Sequence, residues 1–174
     1  MNRKNIIQIH LVLAAFLLPF LIHLPTSGVL YLLGQKGKAN KELAFTVNNE
    51  LKPTKEAILE VFKTQSIDFD FEYIKKKNGK MILRPSTKEH YEIVPTAQGH
   101  QFYKITPDFI LKIVEMHKGH GPGLFKKFQI AAGIGFILIT LSGLWLIFSV
   151  PSFLKISIIS FAAGFVIFIG TLFL

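Results

Sequence analysis

Four of the six histidines in this chain fall where an imidazole is costly to place, or close to such a position. His10 and His23 lie inside the first long apolar stretch. His117 and His120 stand in the run His117-Lys118-Gly119-His120-Gly121-Pro122-Gly123, just before the second. An ionisable side chain at membrane depth usually faces a protein interior and acts there. Imidazoles so placed fit three chemistries: a hydrogen bond across a helix pair, a divalent metal held by His117 and His120, or axial ligation of haem iron. The glycine-rich run around His117 and His120 supplies no rigid outer partners, which weighs against the divalent metal. His90 and His100 fall in the polar middle of the chain and read as surface or packing residues.

Spacing narrows the haem reading. His10 and His23 are 13 residues apart, roughly 20 Å along a helix, so one haem cannot use both. Pro19 and Pro25 predict a kink around His23, with neighbouring groups satisfying the freed carbonyls. With three spans, His23, His117 and His120 share one membrane level and His10 lies at the other. The His23 level therefore offers two imidazoles on facing helices within one chain. Which of His117 and His120 would be the ligand stays open.

The elements that must position these residues are legible from hydropathy. Half of the 174 residues are hydrophobic, and they concentrate in three stretches, at 6–33, 130–150 and 156–174. The last two carry no charge within those limits. A bilayer core about 30 Å thick needs about 20 helical residues, and each stretch is long enough. All 11 acidic residues lie between Glu42 and Glu115, which marks the middle as a separate water-facing unit. The fold class expected is a membrane protein with three transmembrane α-helices and a small α+β extramembrane domain. Its segments are a first helix at 1–34, the domain at 35–123, and further helices at 124–150 and 151–174. The first stretch starts with Arg3 and Lys4 like a signal peptide, but it is too long, and it reads as an uncleaved helix.

Within the domain, Lys52-Pro53-Thr54 opens a helix with Thr54 as cap, Glu56 at the positive end, and a stripe of Ala57, Ile58, Val61 and Phe62. A hairpin follows: Phe69, Phe71 and Tyr73 alternate up to Asn78-Gly79, a type I′ turn signal, and Met81-Ile82-Leu83 returns. A second hairpin pairs 90–94 with 100–105. Thr106-Pro107-Asp108 starts a second helix, with a cap, proline in the first turn and an acid near the dipole. The order is helix, hairpin, hairpin, helix.

Several functions are excluded or disfavoured. There is no cysteine, hence no disulfide, thiolate metal site or cysteine nucleophile. No nucleophile elbow or phosphate loop is present. Glu89 and Glu92 read as exposed strand acids. Lysines are scattered apart from Lys75-Lys76-Lys77, so nucleic acid is not a partner. Arg3 and Lys4 at the first span, with Lys155 between the last two, favour a cytoplasmic N-terminus, but charge alone leaves the orientation open. Lys36, Lys38, Lys41, Lys126 and Lys127 argue the other way, but the rule is weak across a connection this long.

The stretch from His10 through Leu-Val-Leu-Ala-Ala-Phe-Leu-Leu-Pro to Thr26-Ser27-Gly28, together with Met116-His117-Lys118-Gly119 and Leu141-Ser142-Gly143-Leu144-Trp145-Leu146, resembles the PepSY-associated transmembrane proteins. Pro53, Ala57, Ile58 and the hairpins look like a PepSY module. Larger members include haem-containing inner-membrane reductases of ferric iron and ferric siderophores, with the PepSY portion in the periplasm. The resemblance implies a bacterial inner-membrane protein with a cytoplasmic N-terminus and a periplasmic middle domain. It implies non-covalent b-type haem, and ferric iron or a ferric chelate as substrate for uptake. His10 and His117 match the family histidines, and His23 and His120 are added from geometry. The chain departs from larger members in having only three spans. A homodimer would supply six helices, with His10 of two chains on one haem and close approach at Gly133, Gly135, Ser142 and Gly143. Lys36, Lys38, Lys126 and Lys127 could meet haem propionates. The electron donor is unassigned, since no dinucleotide or flavin motif is present. The alternative is a membrane-tethered PepSY binding or regulatory module without redox activity. A third reading has His117 and His120 handing metal to a transporter.

Overall fold

A computed structural model of the chain describes residues 3–48 and 50–174. Along these residues the elements run α1 (Arg3–Leu32), β1 (Ala39–Val47), α2 (Lys55–Thr64), β2 (Tyr73–Lys77), β3 (Lys80–Arg84), β4 (His90–Thr96), β5 (Gly99–Pro107), α3 (Phe109–His117), α4 (Gly123–Phe148) and α5 (Pro151–Thr171). Three helices, α1, α4 and α5, are long and apolar enough to cross a membrane. The contacts divide the chain into two units, residues 1–19 with 131–174, and residues 20–130.

Among the described residues, the first unit is almost wholly helical. It contains the start of α1, most of α4 and all of α5. Leu17 and Ala132 are buried there, and α1 approaches α4 closely at Gly135. A Cβ at that glycine would lie 2.3 Å from Leu17 Cδ1, so the hydrogen at Gly135 makes room for the Leu17 side chain on the surface of α4. The most apolar window of α5 has no buried residue.

The second unit carries a five-stranded antiparallel sheet in the order β1-β5-β4-β3-β2. Its core forms because one helix stripe meets one sheet face. Ile58 and Phe62 of α2 pack on Phe71, Met81, Leu83, Tyr91, Ile93 and Phe102, all buried. Phe62 meets the rings of Tyr91 at 4.8 Å and Phe102 at 5.7 Å, both edge-on. Truncating such a ring costs about 3–5 kcal/mol. The Asn78-Gly79 turn is formed as expected, with φ of 51° and 73° and Lys77 paired to Lys80. Thr54 caps α2, its hydroxyl accepting the Ala57 N–H.

Three details differ from the sequence expectation. The domain opens on an additional strand, β1, which pairs with β5 along the edge of the sheet. Phe69 and Phe71 precede β2 rather than belonging to it, and reach the core from an irregular segment. Asp108 itself caps α3 by accepting the Leu111 N–H at 2.7 Å, so Pro107 closes β5 instead of opening the helix. A carboxylate accepts that orphan amide more strongly than a threonine hydroxyl would, and the strand runs two residues further, to Pro107. The helix α1 runs unbroken through Pro19 and Pro25.

Candidate functional site: histidine–serine pairs and a buried carboxylate

In the first unit, His10 of α1 faces Ser142 of α4, with Nδ1 and Oγ 2.8 Å apart. Ser142 sits mid-helix, where a hydroxyl satisfies itself by donating back to its own helix. It does so here, donating to the Ile139 carbonyl at 2.9 Å. A hydroxyl has one proton, so Ser142 accepts from His10. His10 is thereby held as the Nδ1–H tautomer, with the Nε2 lone pair left over. A Cβ at the adjacent Gly143 would lie 3.5 Å from His10 Cε1, in ordinary contact with the ring. His10 is the one histidine of this unit.

The second unit repeats the arrangement with the partners exchanged. Here the histidine, His117, ends α3 and the serine, Ser27, is on α1, 2.8 Å apart. Ser27 is almost wholly buried and donates to the carbonyls of His23 at 2.7 Å and Leu24 at 3.0 Å. It therefore accepts the His117 Nδ1–H, and again Nε2 keeps its lone pair. Gly28, next to the serine, leaves a Cβ-sized gap 3.7 Å from His117 Cε1. Ser27, Gly28, Tyr31, Val114, His117 and Lys118 line a cavity of about 290 Å³. Lys36 and Lys118 lie over the Tyr31 ring, 5.0 and 5.9 Å from its centre.

His23 is the carbonyl partner of Ser27, and its ring meets Phe125 edge-on at 6.3 Å. Its Nε2 is buried and has no hydrogen-bond partner among the described residues. An orphaned nitrogen costs about 1–3 kcal/mol, unless a ligand takes it.

His120 turns to a different partner. Its Nδ1 lies 2.7 Å from Glu115 Oε2, which also accepts from Arg84 Nη1 at 2.9 Å and Ser86 Oγ at 2.7 Å. Lys118 reaches the other carboxylate oxygen, and Arg84 also donates to Ser86. Burial pushes the Glu115 carboxyl up, but the hydrogen bonds from Lys118, Ser86, His120 and Arg84 outweigh it and hold it at about 2. Burial lowers His120 despite the Glu115 carboxylate, which acts the other way. His120 is thus neutral near pH 7, with Nδ1–H donated and Nε2 open. His90 is buried, with its Nδ1–H on the Lys88 carbonyl at 2.9 Å, and burial lowers its pKa. His100 is half-buried in β5.

The structure therefore brings the His117 ring to Ser27, which meets His23 only through its main-chain carbonyl, and sends His120 to the polar network. No cluster of three or more histidine or acidic side chains able to hold a metal ion occurs among the described residues. Imidazole nitrogens such as those of His10, His23 and His117 are of the kind that haem iron accepts. Of the lysines expected near propionates, Lys36 lies at Tyr31, Lys38 gives its backbone N–H to Asp108, and Lys126 and Lys127 are exposed in the first turns of α4.

Sequence reasoning missed Arg84, Ser86 and Glu115. One signal was present: Arg3 and Arg84 are the only arginines among 20 basic residues. An arginine kept where lysine is the rule points to a place needing a planar, multi-donor cation. Ser27 and Ser142 were visible as small polar residues in apolar stretches but carried no mark of which histidine each meets.

No protein-family model matches the chain, and neither does any curated protein or any solved structure.

Proposed function

We propose that this chain is a haem-binding electron-transfer protein of the bacterial inner membrane that reduces ferric iron or ferric chelates on the periplasmic side for uptake. One observation carries the reading. His10 and His117 are each fixed as the Nδ1–H tautomer by a serine whose proton is spent on a backbone carbonyl, which leaves Nε2 as a lone-pair donor. Such an outer hydrogen bond orients a metal-ligating imidazole and raises its basicity. Bound haem iron would supply one-electron chemistry between its ferric and ferrous states. The chain's residues would do the rest: His23 and His117 as the pair nearest Ser27, His10 as a separate donor completed by His10 of a second copy, and Lys36 and Lys118 as cations near the Tyr31 cavity. The likeness to PepSY-associated proteins, resting on the motifs quoted above, supports a cytoplasmic N-terminus and periplasmic sheet.

The test is the absorption spectrum of detergent-purified protein, air-oxidised and then reduced with dithionite. A Soret band that sharpens and shifts, with split visible bands, is expected from low-spin bis-histidine ligation. A flat spectrum from cells supplied with haem would overturn the reading.

A membrane-tethered binding module without redox activity is the second reading. The observation favouring it is the buried network at Arg84 and Glu115, which needs no redox group to account for its partners.

A further inference from the structure

The sheet has two edges, and they are finished differently. At one, β2 carries Lys75, Lys76 and Lys77, charges of the kind that keep other strands away. At the other, β1 pairs with β5 along one side and, among the described residues, with no strand along its outer side. The Asp108 N–H donates to the Lys38 carbonyl at 2.9 Å, and Pro107, which has no N–H, stands opposite Ala39. By the alternation of an antiparallel ladder, Asn40 and Glu42 turn their N–H and C=O groups toward β5, and Ala39, Lys41 and Leu43 turn theirs outward. No proline interrupts β1. Its one lysine is drawn over the sheet face, with Lys41 Nζ 3.1 Å from Glu92 and 4.2 Å from the centre of the Tyr103 ring. Leu43 is 53% exposed at this unguarded edge.

A groove of about 530 Å³ lies where the end of β1 meets α2. The half-buried Val47, Leu51 and Val61 line it, together with the exposed Glu50, Glu60 and Lys52. Neither glutamate has an ion-pair partner among the described residues. A strand added to β1 would put alternate side chains on the α2 face, beside this groove, and the others next to Leu43. Two carboxylates against one ammonium favour a cation in the groove, and a lysine or arginine stem can lie on its apolar lining while the charged head reaches an acid. We infer that β1 accepts an extended peptide of alternating basic and apolar side chains, its backbone pairing with Ala39, Lys41 and Leu43 and a basic side chain entering the groove toward Glu50 and Glu60.

The occupant is a short segment and not another whole sheet. The irregularity between Leu43 and Phe45 breaks the edge, which hinders long sheet-to-sheet pairing. From Leu43 to Val47 is about 13 Å of strand, so a peptide of roughly eight residues spans both the outward backbone groups and the groove. Neither haem nor any histidine takes part, so this binding stands or falls apart from the redox reading.

The experiment measures the fluorescence anisotropy of a labelled eight-residue peptide of alternating lysine and valine, titrated with full-length protein in dodecyl maltoside. Empty micelles are the blank. An alternating glutamate–valine peptide, and the lysine–valine peptide methylated on every backbone nitrogen, serve as controls. Saturable binding of the lysine–valine peptide is expected, with each control about tenfold weaker or worse. Glu60→Lys, at an exposed helix position, is expected to weaken binding about tenfold. Leu43→Pro removes an outward N–H while sparing the ladder to β5, and it is expected to do the same. No saturable binding would overturn the proposal. Equal binding of the glutamate peptide would overturn it by removing the charge match, and equal binding of the methylated peptide by removing strand addition. Binding indifferent to both variants would overturn the assignment to β1 and place the peptide elsewhere. A chain that binds no peptide but falls from dimer to monomer in Leu43→Pro, by native mass, would overturn it in favour of a second copy at this edge.

Discussion

The Nδ1 of His117 and the Oγ of Ser27 lie 2.8 Å apart, and the serine hydroxyl has no proton to spare, since it points at the carbonyls of His23 and Leu24. One residue thus ties the end of α3 to α1 and dictates which imidazole nitrogen stays bare. Ser27→Ala removes the acceptor and leaves a donor unpaired. It should lower stability by about 1–3 kcal/mol, read as a lower melting temperature in detergent. In haem-loaded protein it should also shift the reduction potential. An unchanged potential alongside a lowered melting temperature would assign Ser27 to packing alone.

Ser142→Ala makes the equivalent change at His10 in the other unit. If His10 binds iron, this variant and His10→Ala should both alter the haem spectrum, with His10→Ala the more severe. The haem content of His23→Ala and His117→Ala should fall as well. Full retention of haem in all three histidine variants would leave the imidazoles as helix-packing groups.

Acid should loosen the polar network in a defined order. His120 is lowered from an ordinary value of 6.5, so its neutral form favours the fold, and that contribution declines as pH falls below 6.5. Glu115 drops from 4.5 to about 2 on folding, so its contribution is full above 4.5 and is lost as pH falls toward 2. The Glu115 part is about 3 kcal/mol. Thermal melts at pH 7, 5 and 3 should show an accelerating loss, and Glu115→Gln should flatten the lower part. Because that variant strands Arg84 in a buried site, it should also cost about 3–5 kcal/mol at pH 7.

Gly135 meets Leu17 so closely that a side chain there must displace it. Gly135→Val should destabilise the helix pair by about 1–3 kcal/mol, and Leu17→Ala in the same chain should return part of that. Additive losses in the double variant, measured by thermal melts of the two singles and the pair, would show that these residues do not compete for one space.

Much of this architecture was written locally. The three apolar helices, the Thr54 cap, the core stripe of α2 and the Asn78-Gly79 turn depend on neighbours a few residues away, and each was read from the sequence. What escaped depends on distant partners. Leu43, Phe45 and Val47 alternate like a strand, but β1 was overlooked. An irregularity between Leu43 and Phe45 pairs the first with Tyr103 and the second with Phe102. The two side chains therefore serve opposite faces, and the apparent period does not describe one buried surface. At the candidate site, the placement of His10 and His117 near membrane spans was legible. The separation of His117 from His120 was not, because it is set by Ser27 and Glu115, one 90 positions away and the other 5. Arg84 finds Glu115 across 31 positions, and no periodicity encodes that.

The helix α5 has 21 residues and no buried side chain in its most apolar window, while α1 has 30 residues. At 1.5 Å per residue these are about 32 and 45 Å, against a hydrocarbon layer of about 30 Å. The shorter helix matches that layer when upright. The longer one must tilt or project beyond it. Thickening the lipid should therefore strain α5 first, because α1 can still cover a thicker layer by tilting less, so that the protease protection of α5 reports bilayer thickness.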